Sequence, residues 1–328
     1  MAVSGTISAT TFNTQRVIDT AVRRCRVPPQ AITAEMQQYA KDALYLVLSD
    51  LANYKTPSWC IEKQLYAFYL NQPVLELDVG TVEVLNANYR TTQQVTGGVT
   101  SSSNEYKVQF SSETQVATIG IKWSADVAAI PLTFQVSTDN STWITVGSAT
   151  TTATAGTKSW YDIDQPLPYL FFRITSTSTI SYDEIYLGNT PQEIPMGVIN
   201  RDTYTAQSNK IFAGRPVNFW LKRDRLNPEM YLWPAPNNIA ETAQLVVWRH
   251  RHIMDVGKLT GEIEVPQRWL EAITAQLAAK MAMETASADV NLIPMLQAMA
   301  RVAQQAAWDG DNDGSPTYIQ PWIAPYTK

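Results

Sequence analysis

The stretch richest in metal-type donors is Asp309-Gly310-Asp311-Asn312-Asp313-Gly314. Oxygen donors at alternate positions with glycine at the sixth match the first half of a calcium loop. The twelfth position is Gln320, so the bidentate carboxylate of such a loop is missing. An acidic turn closing a helix accounts for the same residues. His250 and His252 alternate between Arg249 and Arg251, which on a strand puts both imidazoles on one face. Zinc takes three or four ligands, and no cysteine or carboxylate cluster stands near to complete the set. Cys25 and Cys60 have no neighbours that make a metal site or redox pair. Asp162/Asp164 and Asp183/Glu184 are carboxylate pairs of the type used in glycoside hydrolysis, and as loop-flanking residues they need no such role. No glycine-rich phosphate loop and no serine in a glycine-flanked elbow is present. These residues give no catalytic group, no metal ligand and no cofactor site, so a non-enzyme is expected.

The elements that would position side chains are easier to read. A chain of 328 residues is expected to hold about two domains. Its charged fraction is 17%, and it carries 10 Trp and 15 Tyr, so much of its surface must be neutral and aromatic. Such surface is commoner at protein interfaces than on free monomers. The net charge of -5 excludes a basic nucleic-acid footprint. The one basic grouping, Arg16, Arg23, Arg24 and Arg26, sits at a helix end where the dipole favours it. No apolar run approaches a membrane span, and MAVSGTISATTF lacks the basic start of a signal peptide. A reducing cytosol and free thiols are therefore expected.

In order, Thr11 to Val27 predicts a helix with Thr14 as cap, and Thr33 starts a second with Met36, Ala40, Leu44, Val47 and Leu51 inward. IEKQLYAFYL, VLELDV and TVEVLNANYR predict strands, with Asn71-Gln72-Pro73 as a turn. From Thr91 the chain becomes Ser/Thr-rich, and TQVATIGIKW, LTFQVST, TWITVGS, YLFFRIT and YDEIYLG predict strands of a sandwich. This segment holds four cations against eight acids. After Gly188 the earlier composition returns, so the sandwich interrupts one domain. FWLKRDRLNPEMYLW and AQLVVWRHR predict further strands, with a turn at Leu226-Asn227-Pro228 and a stop at Trp233-Pro234. Pro266 opens a helix with Leu270, Ile273, Leu277 and Met281 inward. Asp289 caps the last helix, whose apolar face is read as Leu292, Leu296, Met299 and Val302.

The three strands, the Trp-Pro ending, IEVPQRWLEAITAQLAAKMAME and the final helix resemble the head-to-tail adaptor proteins of short-tailed bacteriophages, the tail tubular protein A group. FQVSTDNSTWITV with Ser137, Asp139 and Trp143, then LFFRIT around Arg173 and DEIYLG, resemble discoidin-like β-sandwich modules. Together they imply an α+β fold: a helical-bundle and antiparallel-strand adaptor domain interrupted by an all-β, discoidin/jelly-roll-like sandwich insert. The ranges are 1–90 and 191–308 for the adaptor domain, 91–190 for the insert and 309–328 for an extended tail. The adaptor resemblance implies a virion neck protein forming a twelve-fold homo-oligomeric ring between portal protein and the downstream tail or nozzle protein. It would conduct double-stranded DNA during packaging retention and ejection without binding it specifically, touch no membrane, and occupy the host cytoplasm during assembly. The tail residues Tyr318, Ile319, Trp322, Ile323 and Tyr326 would meet the portal. The alternative is a carbohydrate-binding adhesin working through the sandwich, with Trp160 and Tyr161 in a glycan-facing loop.

Overall fold

In a computed structural model of the chain, side chains cap the starts of the first two helices. The structure describes residues 12–28, 30, 32–54, 57–164, 166–224, 227–285 and 288–311. Asn13, rather than Thr14, caps α1 (Thr14–Arg24), its side-chain oxygen accepting from the Arg16 amide at 3.0 Å. Thr14 is buried, and its hydroxyl donates to the Gly261 carbonyl at 3.1 Å. Thr33 precedes α2 (Ala34–Tyr54) and accepts from the Met36 amide at 3.2 Å, as expected of a cap.

The strands follow in order: β1 (Ile61–Ala67), β2 (Val74–Glu76), β3 (Thr81–Gln94), β4 (Gly98–Ser101), β5 (Glu105–Thr114), β6 (Thr118–Trp123), β7 (Val127–Ser137), β8 (Ile144–Ala153) and β9 (Lys158–Asp162). Next come β10 (Tyr169–Ser176), β11 (Tyr182–Pro195) and β12 (Gly197–Val198). The short helix α3 (Arg201–Thr205) leads to β13 (Ala213–Gly214), β14 (Asn218–Lys222), β15 (Glu229–Trp233), β16 (Ala235–Pro236) and β17 (Gln244–Arg251). The chain then turns to α4 (Leu270–Glu284) and α5 (Ile293–Gly310).

Two compact units result, one of residues up to Glu62 with those from His250, the other Lys63–Arg249. In the first, α4 packs against α1, α2 and α5. Ile273, Leu277 and Met281 of α4 are buried, as their spacing predicts, with Trp269 beneath them against Trp59 and Trp308. α5 departs from expectation. It buries Leu296, Ala300 and Ala307, while Met299 is 44% exposed and Val302 71% exposed. Small alanines let α5 approach α4 closely, so the contact ridge follows them rather than the largest side chains.

The second unit is mostly β. A five-stranded sheet, β4-β5-β10-β7-β8, faces a six-stranded one, β1-β17-β3-β11-β6-β9. Ile130, Leu132, Phe134 and Val136 from one sheet interleave with Ile119, Ile121, Trp123 and Leu187 from the other. This is a β-sandwich, built from alternating strands as the sequence predicts. A second core, including Leu77, Tyr89, Phe219, Met230 and Leu245, lies around the four-stranded sheet β12-β14-β15-β2. The boundaries expected at 90/91 and 190/191 fall inside β3 and β11. β3 runs through the first boundary and β11 through the second with a register shift between Asn189 and Gln192, and together they pair Arg90 with Glu193 and Thr91 with Gln192. The six-stranded sheet also curls. β1 and β9 are its opposite edges, yet Lys63 of β1 forms an ion pair with Asp162 of β9.

Candidate functional site

The sequence-selected aromatics lie on a strand rather than in a loop. Both belong to β9, and neighbours on a strand point to opposite faces. Trp160 is 6% exposed, packed edge-on to Tyr186 with ring centroids 5.4 Å apart. A Cβ on Gly120, the residue paired with it, would stand 2.6 Å from its ring, so only glycine admits the indole. Tyr161 points into the sandwich, its ring 5.3 Å from Phe134 and its hydroxyl 2.6 Å from that of Thr151. Burial raises the phenol's pKa above its ordinary value.

Beside β9 runs a trough of about 520 Å³, lined by Lys63, Tyr161, Asp162, Asp164 and Ser148 among others. Its charges are tied down. Arg90, buried on β3, donates to Asp162 at 2.7 Å and through Nε to Glu193 at 2.9 Å. Burial works against the Arg90 charge, but Asp162 and Glu193 outweigh it and raise its pKa. Burial likewise works against the Glu193 charge, and Arg90 and Asn88 overcome it, holding that carboxyl below its usual range. Sequence reading missed this network, because Arg90, Asp162 and Glu193 stand 72 and 103 positions apart. The residues carrying the module resemblance serve the hairpin itself. Ser137 donates to Asp139 at 2.9 Å, and Arg173 stacks over Trp143 at 3.9 Å.

The remaining candidates separate. Asp309 and Gly310 belong to α5, not to a turn. Asp311 accepts from the Ser58 amide and hydroxyl and from Arg268 Nε at 2.9 Å. The rest of the acidic run, Gln320, and the tail residues Tyr318, Ile319, Trp322, Ile323 and Tyr326 lie outside the described residues. His250 is buried, and His252 is exposed just past the end of β17, so the shared face expected of them does not form. Among the described residues no group of three His, Cys, Asp or Glu could hold a metal. Cys25 and Cys60 are free and buried, and burial pushes their thiols to about 11 and about 12. Of the basic grouping, Arg24 pairs with Glu271 at 2.6 Å and Arg26 with Asp289 at 3.9 Å.

The largest exposed apolar side chains distribute unevenly. Exposed aromatics occur at Tyr39 and Tyr45 on α2, at Phe212 and at Trp248, and residues 91–190 contribute none. On α5 the exposed positions Met295, Met299 and Val302 are apolar, with Arg301, Gln305 and Asp309 exposed beside them. An outward helix face on a free monomer is normally charged.

No protein-family model matches the sequence. No curated protein matches it. Parts of several solved structures resemble part of it. The C-terminal domain of a chitobiase from Bacteroides fragilis aligns at 11% identity and TM-score 0.23, over 27% of this chain and 64% of that one. The CBM32-1 module of a family 31 glycoside hydrolase from Clostridium perfringens aligns at 10% and 0.23, over 42% of this chain and 98% of that one. Chitosan-binding module 1 of a chitosanase/glucanase from Paenibacillus sp. IK-5 aligns at 18% and 0.21, over 38% and 99%. This chain therefore spans just under two thirds of the chitobiase domain and nearly all of the two modules. Likeness at this level assigns no ligand to the chain.

Proposed function

We propose that the chain is a structural subunit that works by self-assembly, as a head-to-tail adaptor of a short-tailed bacteriophage. The observation that carries this reading is the outward apolar face of the helical unit: Tyr39 and Leu46 on α2 with Met295, Met299 and Val302 on α5. Exposed apolar side chains grouped along a helix mark a contact that water would otherwise have to cover. The reading has a ring of identical subunits joined to a portal on one side and a tail component on the other. Repeated heterologous contacts close such a ring, and no catalytic step is assigned to it. The acidic chain suits a conduit for DNA, since basic walls would hold phosphates. The test is co-sedimentation of the purified protein with the portal ring of the same virus, followed by negative-stain imaging. The reading expects a second ring on one face of the portal. Absence of association at every salt concentration would overturn it.

A second reading, carbohydrate binding through the sandwich, is favoured by the trough beside β9, where Asp164 and Ser148 offer acceptors and a hydroxyl around a concave surface. Trp160 would not be its stacking platform, being buried. Glycan screening of the full chain tests it: saturable binding lost in Asp164→Ala supports it, and no binding to any glycan removes it.

A further inference from the structure

We infer that α5 of one subunit seats in a groove between α2 and α4 of the next subunit. The inference deepens the assembly reading and rests on it. The groove holds about 280 Å³ and is lined by Tyr39, Ala43, Leu46 and Met281, with Asp42 and Glu284 at its edge. Tyr39 and Leu46 are exposed, while Ala43 and Met281 form a buried floor. The far side of α5 presents the complement. Met295, Met299 and Val302 recur at the spacing that lines one helix face. Ala298 and Ala306 are exposed along the same side. One or two such side chains fill a space of this size.

Charge fixes the occupant. From Ile293 to Trp308 the only charged residue is Arg301, exposed beside Val302. It has no ion pair among the described residues, and neither Asp42 nor Glu284 has one. A cationic apolar ridge on α5 therefore meets an acid-edged apolar groove between α2 and α4. A ridge-to-groove contact repeated in one direction is heterologous: each copy offers its ridge forward and its groove backward, and the chain of contacts ends in a ring where the rotation per subunit closes. The groove is not satisfied by its own α5, whose packing side is occupied by Leu296, Ala300 and Ala307 against α4.

The test uses full-length protein with Leu46→Cys and Val302→Cys as separate variants and a short bismaleimide. The native cysteines give little background, being buried with raised pKa values. Mixing the two variants should give a cross-linked pair absent from either alone, and the double variant should give a ladder. Val302→Glu should shift assembly to at least tenfold higher concentration with unchanged Tm, because Val302 is solvent-exposed in the free subunit. Arg301→Glu should weaken assembly, and Asp42→Arg with Glu284→Arg should restore it. Rings that form without the 46–302 cross-link, and that tolerate Val302→Glu, would overturn the inference and leave the assembly reading standing. A chain that stays monomeric at every concentration and does not join the portal would remove both.

Discussion

Arg90 is the residue on which the second unit depends most. It is a buried cation with two carboxylates, so removing it leaves the half-buried Asp162 and the more exposed Glu193 without their cation. Arg90→Leu should lower the stability of that unit by about 3 kcal/mol, read from chemical denaturation, a range expected for breaking one side of a buried pair. Arg90→Lys should recover part of this, since a lysine keeps the charge but loses the fork. The pH dependence has a definite sign. Glu193, Glu264 and Asp311 all have carboxyl pKa values lowered on folding. Each contributes stability above its unfolded value, about 4, and loses it as the pH falls through the folded value. The denaturation midpoint should hold from pH 7 to about 5 and fall below that, less steeply in Glu193→Gln. A midpoint that rises on acidification would contradict these assignments. Thiol reagents should label neither Cys25 nor Cys60 at pH 8 without denaturant, given thiols pushed to about 11 and about 12. At this scale the sequence was a poor guide. Trp160 and Tyr161 read as exposed aromatics, because nothing local shows that Gly120, 40 positions away in the paired strand, leaves a bed for an indole.

Among the elements, legibility followed locality. Helices with apolar residues at helical spacing were readable, and α1, α2, α4 and α5 stand where Val17, Leu44, Ile273 and Leu296 place them. Strands with clear alternation, such as β7 and β10, were readable too. β4 and β9 were not, since GVTS is exposed throughout and KSWYD is short, and β5 was missed although Tyr106, Val108 and Phe110 alternate inward. The buried face of α5 was misread because large side chains were given the core, whereas the helix–helix contact selects alanine. Gly120→Ala should test the fit of β6 to β9. The new methyl would crowd the Trp160 ring, and overpacking of that kind costs about 1–3 kcal/mol. Thermal unfolding should show the loss, and an unchanged Tm would mean the indole is not held against β6.

For the whole molecule, the proposed assembly would cover the helical unit. Residues 63 to 249 form one compact unit with two main cores, and the long strands β3 and β11 lie side by side in its six-stranded sheet. The exposed apolar side chains of α2 and α5 are the surfaces that this proposal has other subunits meet. The most direct measurement is the mass of the particles formed by the purified chain as its concentration is raised, by sedimentation velocity or mass photometry. The account expects a single closed multiple of the 36.6 kDa subunit, alone or on addition of the portal ring, with Val302→Glu reduced to the monomer mass. A wild-type chain that remains at the monomer mass in both conditions would contradict it.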